Sequence, residues 1–267
     1  MHFERLQRYV SVDGLRIRVV EAGDRNNPTI LLIHGLGGSI ESWTSNLTPL
    51  SKKLHVIALD LPGFGFSDKP MINYTPEYYS DFISTFVDLM NCQKVNLVGH
   101  SMGGLIVLET ALSSPELVDR LILVDVAGIG DEAAEIIKKH MGEDWTLDKL
   151  KKFYENFIVG EYRTVDEELL KYSLKLYHED SHLQHAYQCC LKFLGVKRDE
   201  KRFSEITHPS LIIWGSMDRL VPPEYGYRLH RVLKNSKLII FKGVGHSPHV
   251  EVPERFNSAI IDFILSA

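Results

Sequence analysis

Cysteine is scarce: the 267 residues hold three, Cys92, Cys189 and Cys190. Three is too few, and the spacing too uneven, for a disulfide framework or a zinc site, and it fits a reducing cytosol. A basic block is also missing. Lys and Arg total 30 against 35 Asp and Glu, a net charge of −5. The signs alternate along most segments, which argues against a nucleic-acid partner. Long apolar runs are absent as well. Stretches such as Leu121-Ile122-Leu123-Val124 are of strand length, far below the ~20 residues of a membrane-crossing helix. The opening Met1–Leu6 is charged and lacks the apolar core of a secretory signal. Neither an internal repeat nor a low-complexity stretch occurs. No glycine-rich segment has nucleotide-loop spacing. These absences lead us to expect a cytoplasmic globular protein that works on a small molecule, with no cofactor, no resident metal and no membrane segment.

What is present divides the chain into three parts. Residues 1–128 alternate short β-rich apolar runs with glycine-bearing loops and helical patterns. Asp13-Gly14 between Val10–Val12 and Leu15–Val19 reads as a hairpin turn. Thr29–Ile33, Val56–Leu59, Val95–Val98 and Leu121–Val126 read as buried strands, with helices over Pro76–Met90 and Gly103–Ser113. From 129 to 206 the strand signal gives way to Lys/Glu-rich sequence with apolar stripes at helical spacing, such as Leu147, Leu150, Phe153, Tyr154 and Phe157. Strands resume at Leu211–Trp214 and Leu238–Phe241, and a helix over Pro253–Leu265 closes the chain. The expectation is an α/β domain of residues 1–128 and 207–267, interrupted by a helical insert of residues 129–206.

The most informative segment is Gly99-His100-Ser101-Met102-Gly103, a G-x-S-x-G between a strand and a helix. A sharp strand-to-helix turn can hold a serine in a strained backbone conformation, with its hydroxyl projecting from the sheet edge. Side chains two residues to either side would collide, so glycine occupies both places. A serine hydroxyl is a weak nucleophile unless a base takes its proton. Among 12 histidines, His246 in Gly243-Val244-Gly245-His246 follows the last strand and can reach that edge. The base needs a carboxylate to fix its tautomer. Asp218, just past Leu211–Trp214, is the preferred candidate. Asp125, ending Leu121–Val124, is its rival and is read as structural. Asp60 is assigned to the Pro62–Gly65 turn, His34 and His100 to packing and hydrogen bonding, and His249 to a supporting or structural role.

An acyl-transfer serine also needs donors for a developing oxyanion. The amide of Met102 is one. The amide of Leu36, in His34-Gly35-Leu36-Gly37-Gly38, is the candidate for the other. His178, His182 and His185 share a helical face, i, i+4, i+7, as metal ligands can. No further ligand completes a set, and a solvated or packing face is the preferred reading. Adjacent Cys189 and Cys190 point in different directions on a helix and are read as core.

Taken in order, these motifs resemble the α/β-hydrolase family. Its carriers are His34–Gly38, Asp60-Leu61-Pro62-Gly63-Phe64-Gly65-Phe66-Ser67, Gly99–Gly104, Trp214-Gly215-Ser216-Met217-Asp218 and Gly245-His246, which span nearly the whole chain. The resemblance implies an eight-stranded, mostly parallel sheet with helices on both faces and a helical cap after the sixth strand. It also narrows the reaction. Ser101 departs from the dehalogenase and epoxide hydrolase members, which use aspartate. The carbon–carbon hydrolases of aromatic ring cleavage do use serine. They typically carry asparagine before it and tryptophan after the catalytic histidine, where this chain has His100 and Ser247. Cofactor-free haloperoxidases share the triad. The expected activity is therefore a carboxylesterase or small lipase acting on esters with apolar acyl groups. The carbon–carbon hydrolase, or a non-catalytic ligand receptor of the same fold, is the alternative.

Overall fold

The computed structural model describes residues 7–142 and 144–266. In chain order the elements are β1 (Gln7–Val12), β2 (Leu15–Ala22), β3 (Thr29–Ile33), α1 (Thr44–Ser51), β4 (His55–Leu59), α2 (Pro76–Leu89), β5 (Val95–His100), α3 (Met102–Ser113) and β6 (Val118–Val124). Then come α4 (Glu132–Met141), α5 (Leu147–Phe153), α6 (Glu167–Glu179), α7 (Ser181–Leu194), β7 (Ser210–Gly215), α8 (Glu224–Val232), β8 (Ser236–Phe241), α9 (Pro248–Glu251) and α10 (Pro253–Leu265).

One sheet of eight strands runs in the order β1-β2-β4-β3-β5-β6-β7-β8. β2 is antiparallel to both of its neighbours. Every pairing from β4 to β8 is parallel. The hairpin closes at Asp13 and Gly14, whose φ values of 49° and 81° match the twist of the flanking strands.

Alternation along the strands builds two cores. Leu31 and Ile33 of β3 face a core with Tyr79, Ile83 and Phe86 of α2 and Leu105 of α3. Ile30 and Leu32, on the other side of the same strand, pack with Leu47 and Leu50 of α1 and Phe256 and Ile260 of α10. A sheet buried on both faces needs apolar residues at every strand position, and all five residues of β4 are buried. The parallel part of the sheet begins at β3, adds β4 on one side, and then crosses to β5 on the other. Loops leaving β3 and β5 therefore diverge and open a crevice at the C-terminal edge, where ligands bind in open α/β sheets.

Between β6 and β7 the chain forms α4 to α7 and no strand among the described residues. Its aromatic residues pack chiefly on one another. Trp145 stacks on Tyr177 at 4.4 Å, and Tyr187 meets both rings edge-on. No helix among the described residues is long and apolar enough to cross a membrane.

Candidate active site

Ser101 sits at the turn from β5 into α3 with φ 54° and ψ −116°, a conformation that costs an L-residue about 1–3 kcal/mol. Its surroundings over-determine it. The Ser101 N–H donates to the Val124 carbonyl at 2.8 Å, and its own carbonyl accepts from Gly104 at 2.9 Å and Ala127 at 3.2 Å. A Cβ at Gly99 would overlap the Gly103 carbonyl, and one at Gly103 would overlap that of Ile33. Only glycine lets strand, turn and helix come this close.

His246 comes from the loop after β8 and Asp218 from the loop after β7. The structure brings both to Ser101. His246 Nε2 lies 3.1 Å from Ser101 Oγ, and Nδ1 lies 2.7 Å from Asp218 Oδ2. The second oxygen of Asp218 accepts the N–H groups of Leu220 and Val221 at 2.9 and 2.8 Å. All three residues are buried. This is the relay a hydroxyl nucleophile requires, with Nδ1–H held by a carboxylate and Nε2 free to take the hydroxyl proton.

Asp125 is drawn to the same place. Its φ is 45°, it is fully buried, and Oδ1 accepts the Gly215 N–H at 2.9 Å. One oxygen each of Asp125 and Asp218 and a ring nitrogen of His246 lie within 4.8 Å of one another. Burial and the neighbouring Asp218 push the Asp125 carboxyl well above its ordinary range. The bond to His246 is made by Asp218.

The loop after β3 reaches the nucleophile from the other side. A Cβ on Gly35 would lie 3.2 Å from that of Ser101, so this loop passes close to Ser101 at Gly35. The Met102 amide opens α3 directly beyond Ser101. His34 orders this loop by hydrogen bonding, the kind of role the sequence assigns to it. Its Nε2 accepts from the Leu61 N–H at 3.0 Å, so Nδ1 carries the proton and donates to the Gly35 carbonyl at 2.8 Å. Burial lowers the His34 pKa, which keeps that neutral tautomer in place. Below it, Asp60 accepts from Arg18 Nε at 2.7 Å, Ile40 N–H at 2.8 Å and Phe66 N–H at 2.7 Å. Asp60 thus fixes the turn assigned to it from the sequence, and also the start of the helical turn after Gly38. Arg18 is missed by sequence reading: nothing local marks an arginine on β2 as the partner of a carboxylate at the end of β4.

Glu251 was also missed. Its two oxygens accept the N–H groups of Gly245 and Gly160, each at 2.9 Å. Gly160 belongs to the segment after α5, so this carboxylate ties the insert to the histidine loop. The His246 N–H donates to the Ile158 carbonyl at 2.7 Å, completing the clamp. Side chains at Gly160 or Gly245 would overlap the facing backbone and force the two segments apart. Burial raises the Glu251 pKa, while the amides it accepts work the other way.

Two further histidines flank the base. The rings of His100 and His249 lie 4.5 Å apart, and His100 lies 4.9 Å from His246. Burial, then the neighbouring imidazoles, lowers His100 well below the usual range. Burial and His246 push His249 down to about 3. The three histidines on α7 and the end of α6 do not converge. His178 Nε2 donates to Trp145 O at 2.9 Å, His182 Nδ1 to Lys69 O at 2.7 Å, and His185 Nε2 to Ile72 O at 2.7 Å. Two of them pin α7 to the loop before α2. Cys190 is buried beside the Tyr79 hydroxyl, while Cys189 is half-buried.

A mostly parallel sheet with a serine at a strained β5–α3 turn defines the α/β-hydrolase class. The sequence model of the alpha/beta hydrolase fold matches residues 28–157 and 136–253, and the chain belongs to that family. It is 29% identical over 267 residues to the 2-hydroxy-6-oxo-6-(2'-aminophenyl)hexa-2,4-dienoic acid hydrolase of Metapseudomonas resinovorans, covering 97% of this chain and 91% of that one. It is 31% identical over 279 residues to a 2-hydroxy-6-oxononadienedioate/2-hydroxy-6-oxononatrienedioate hydrolase of Burkholderia vietnamiensis, covering 96% and 95%. Among solved structures, a bacterial membrane phospholipase A superposes with a TM-score of 0.87 at 28% identity, covering 98% of this chain and 87% of that one.

Proposed function

We propose that this protein is a serine hydrolase that cleaves carboxylic esters with apolar acyl groups through an acyl-enzyme on Ser101. The observation that carries the reading is the continuous line from Asp218 Oδ2 through the imidazole of His246 to Ser101 Oγ, with contacts of 2.7 and 3.1 Å. Ser101 Oγ attacks the ester carbonyl as His246 Nε2 takes its proton. The Leu36 and Met102 amides receive the negative oxygen of the tetrahedral intermediate. Its collapse breaks the C–O bond as His246 returns the proton to the departing alcohol. A water then gives a proton to His246 and attacks the acyl-enzyme; as the Oγ–C bond breaks, His246 returns that proton to Ser101 Oγ and the acid leaves.

Residues 129–206 act in this reading as a cap on the core of residues 1–128 and 207–267. Tyr187 of α7 supports it, since a Cβ at Gly37 would lie 3.4 Å from its ring. An aromatic cap residue above the oxyanion loop gives an acyl chain an apolar wall. The absence of a nucleotide loop speaks for a reaction without cofactor, and three free cysteines for a cytoplasmic setting.

Carbon–carbon bond hydrolysis of ring-cleavage products is the second reading. Two relatives with that activity in their names match over nearly their full length. Against it stand His100 and Ser247, at the places where that subgroup carries asparagine and tryptophan. Hydrolysis of p-nitrophenyl esters from acetate to palmitate, run beside 2-hydroxy-6-oxo-6-phenylhexa-2,4-dienoate, separates the two. Ester turnover that peaks at one acyl length and vanishes in Ser101→Ala supports the esterase. Faster turnover of the dienoate by orders of magnitude replaces it with the second reading. Labelling by a fluorophosphonate with no turnover of either points to a receptor.

A further inference from the structure

Asp125 is a second buried carboxyl beside the base's carboxylate partner, and the proposed mechanism leaves it without a task. Asp218 accepts three N–H donors, from Leu220, Val221 and His246. That is the environment of an anion. Asp125 accepts one, from Gly215, and its Oδ2 is buried without a donor to accept from. An oxygen of each carboxyl lies within 4.8 Å of one of the other, both out of water, and that proximity opposes charge on both. The proton belongs on the carboxyl with fewer donors, and Asp125 Oδ2 is the oxygen with nothing else to do.

We propose that Asp125 is a positioning residue that holds a proton on Oδ2 and donates it as a hydrogen bond to the Asp218 carboxylate. This rests on the reading of Ser101, His246 and Asp218 as a relay. The bond fixes the carboxylate against His246 and draws off part of its negative charge. The acidic side chains acting on Asp125 are Asp218 and Glu251, and a ring nitrogen of His246 lies within 4.8 Å of an Asp125 oxygen. Among these only the imidazole can become positive. The left-handed backbone at Asp125 is consistent with this task, because a residue held at φ 45° is strained and persists where the surroundings over-determine it.

The test uses Asp125→Asn and Asp125→Ala in the full chain. Asparagine copies the proposed state, with its carbonyl for Gly215 and its amide N–H for Asp218. Alanine removes the donor. Ester turnover and fluorophosphonate labelling of Ser101 are each followed against pH. In Asp125→Ala the acid limb of both profiles is expected to move to higher pH, with rates at pH 7 lower by about tenfold. Asp125→Asn is expected to recover most of that loss and return the limb to its wild-type position. If Asp125 carries charge instead, both variants remove a negative group, and the limb moves to lower pH in both. That result, or an unmoved limb in Asp125→Ala, overturns the proposal. Infrared difference spectra between wild type and Asp125→Asn at pH 8 give a second reading that needs only the asparagine variant. A protonated-carboxyl stretch lost in the variant is expected, and a carboxylate band lost instead overturns the proposal. Labelling and infrared bands need no substrate, so absent ester turnover would count against the esterase reading and leave this one decided.

Discussion

The His100 ring donates its Nε2–H to the backbone carbonyl of His246 across 2.7 Å. The residue before Ser101 therefore holds the loop that carries His246. The nucleophile turn and the histidine loop, 145 residues apart in sequence between Ser101 and His246, meet through this bond as well as through the relay. In His100→Ala the carbonyl loses its donor and the loop is free to drift. A displacement of even a fraction of an ångström degrades alignment for proton transfer. Turnover is expected to fall roughly tenfold, with a stability loss of about 1–2 kcal/mol. Thermal melts beside ester kinetics check both. Full activity would show that the bond holds nothing that matters.

Ser101 presents a trade between strain and chemistry. Replacing it with glycine removes both the hydroxyl and the side chain that resists a φ of 54°. The expected outcome is a protein more stable by about 1 kcal/mol and inactive, with kcat reduced roughly 10⁴- to 10⁶-fold. A melting temperature below that of wild type would contradict the strain.

His249 links acid to unfolding. The unfolded chain takes up a proton at this residue near pH 6.5, whereas the folded chain does so only at about 3. Between those values the unfolded state holds more protons, so stability from this site is complete above 6.5 and declines as the pH falls. His34 and His100 are displaced in the same direction. The raised carboxyls of Asp125 and Glu251 oppose them, so the clean measure is a difference. His249→Phe keeps a ring against Trp43 and cannot titrate. Relative to wild type it is expected to gain about 2 kcal/mol between pH 7 and pH 5. Urea melts at the two pH values give that gap, and a constant gap refutes the assignment.

Glu251→Gln substitutes an N–H for one of two accepting oxygens, leaving either the Gly160 or the Gly245 amide facing a donor. Loss of a charge-assisted bond and one unsatisfied amide together cost about 2–3 kcal/mol. Activity should fall with stability, since Gly245 adjoins the base. Glu251→Asp, with the right charge and a shorter reach, should recover little. Unchanged melting in both variants would show that the clamp is idle.

Most of this architecture was legible because it is local. The strand Thr29–Ile33 and the helix Pro253–Leu265 have the observed bounds in the sequence itself, since each is an uninterrupted apolar pattern between breakers. The helix Thr44–Ser51 was not read: it is short, weakly patterned, and carries Pro49 inside. Its stability comes from Leu47 and Leu50 in the core, a tertiary cause with no local mark. At the site, Ser101, Asp218 and His246 were marked by glycine-rich turns after strands. Asp218 is preferred over Asp125 from the sequence, and the bond to His246 is made by Asp218; what the sequence does not show is that the two carboxyls, following β7 and β6 at one sheet edge, stand side by side. Glu251 and Arg18 act on backbone or carboxylates far along the chain, so no window of sequence shows their partners.

The clamp at Glu251 bears on how such a chain can diversify. The insert looks like an interchangeable part, entering and leaving between β6 and β7. Yet its segment around Gly160 is laced to the loop that carries His246, in a stretch after β8. A chimera that borrowed only residues 129–206 from a relative would therefore arrive with a mismatched seam beside the base. Recombination that works must transplant residues 243–251 along with them, so the two segments change as one unit in this protein.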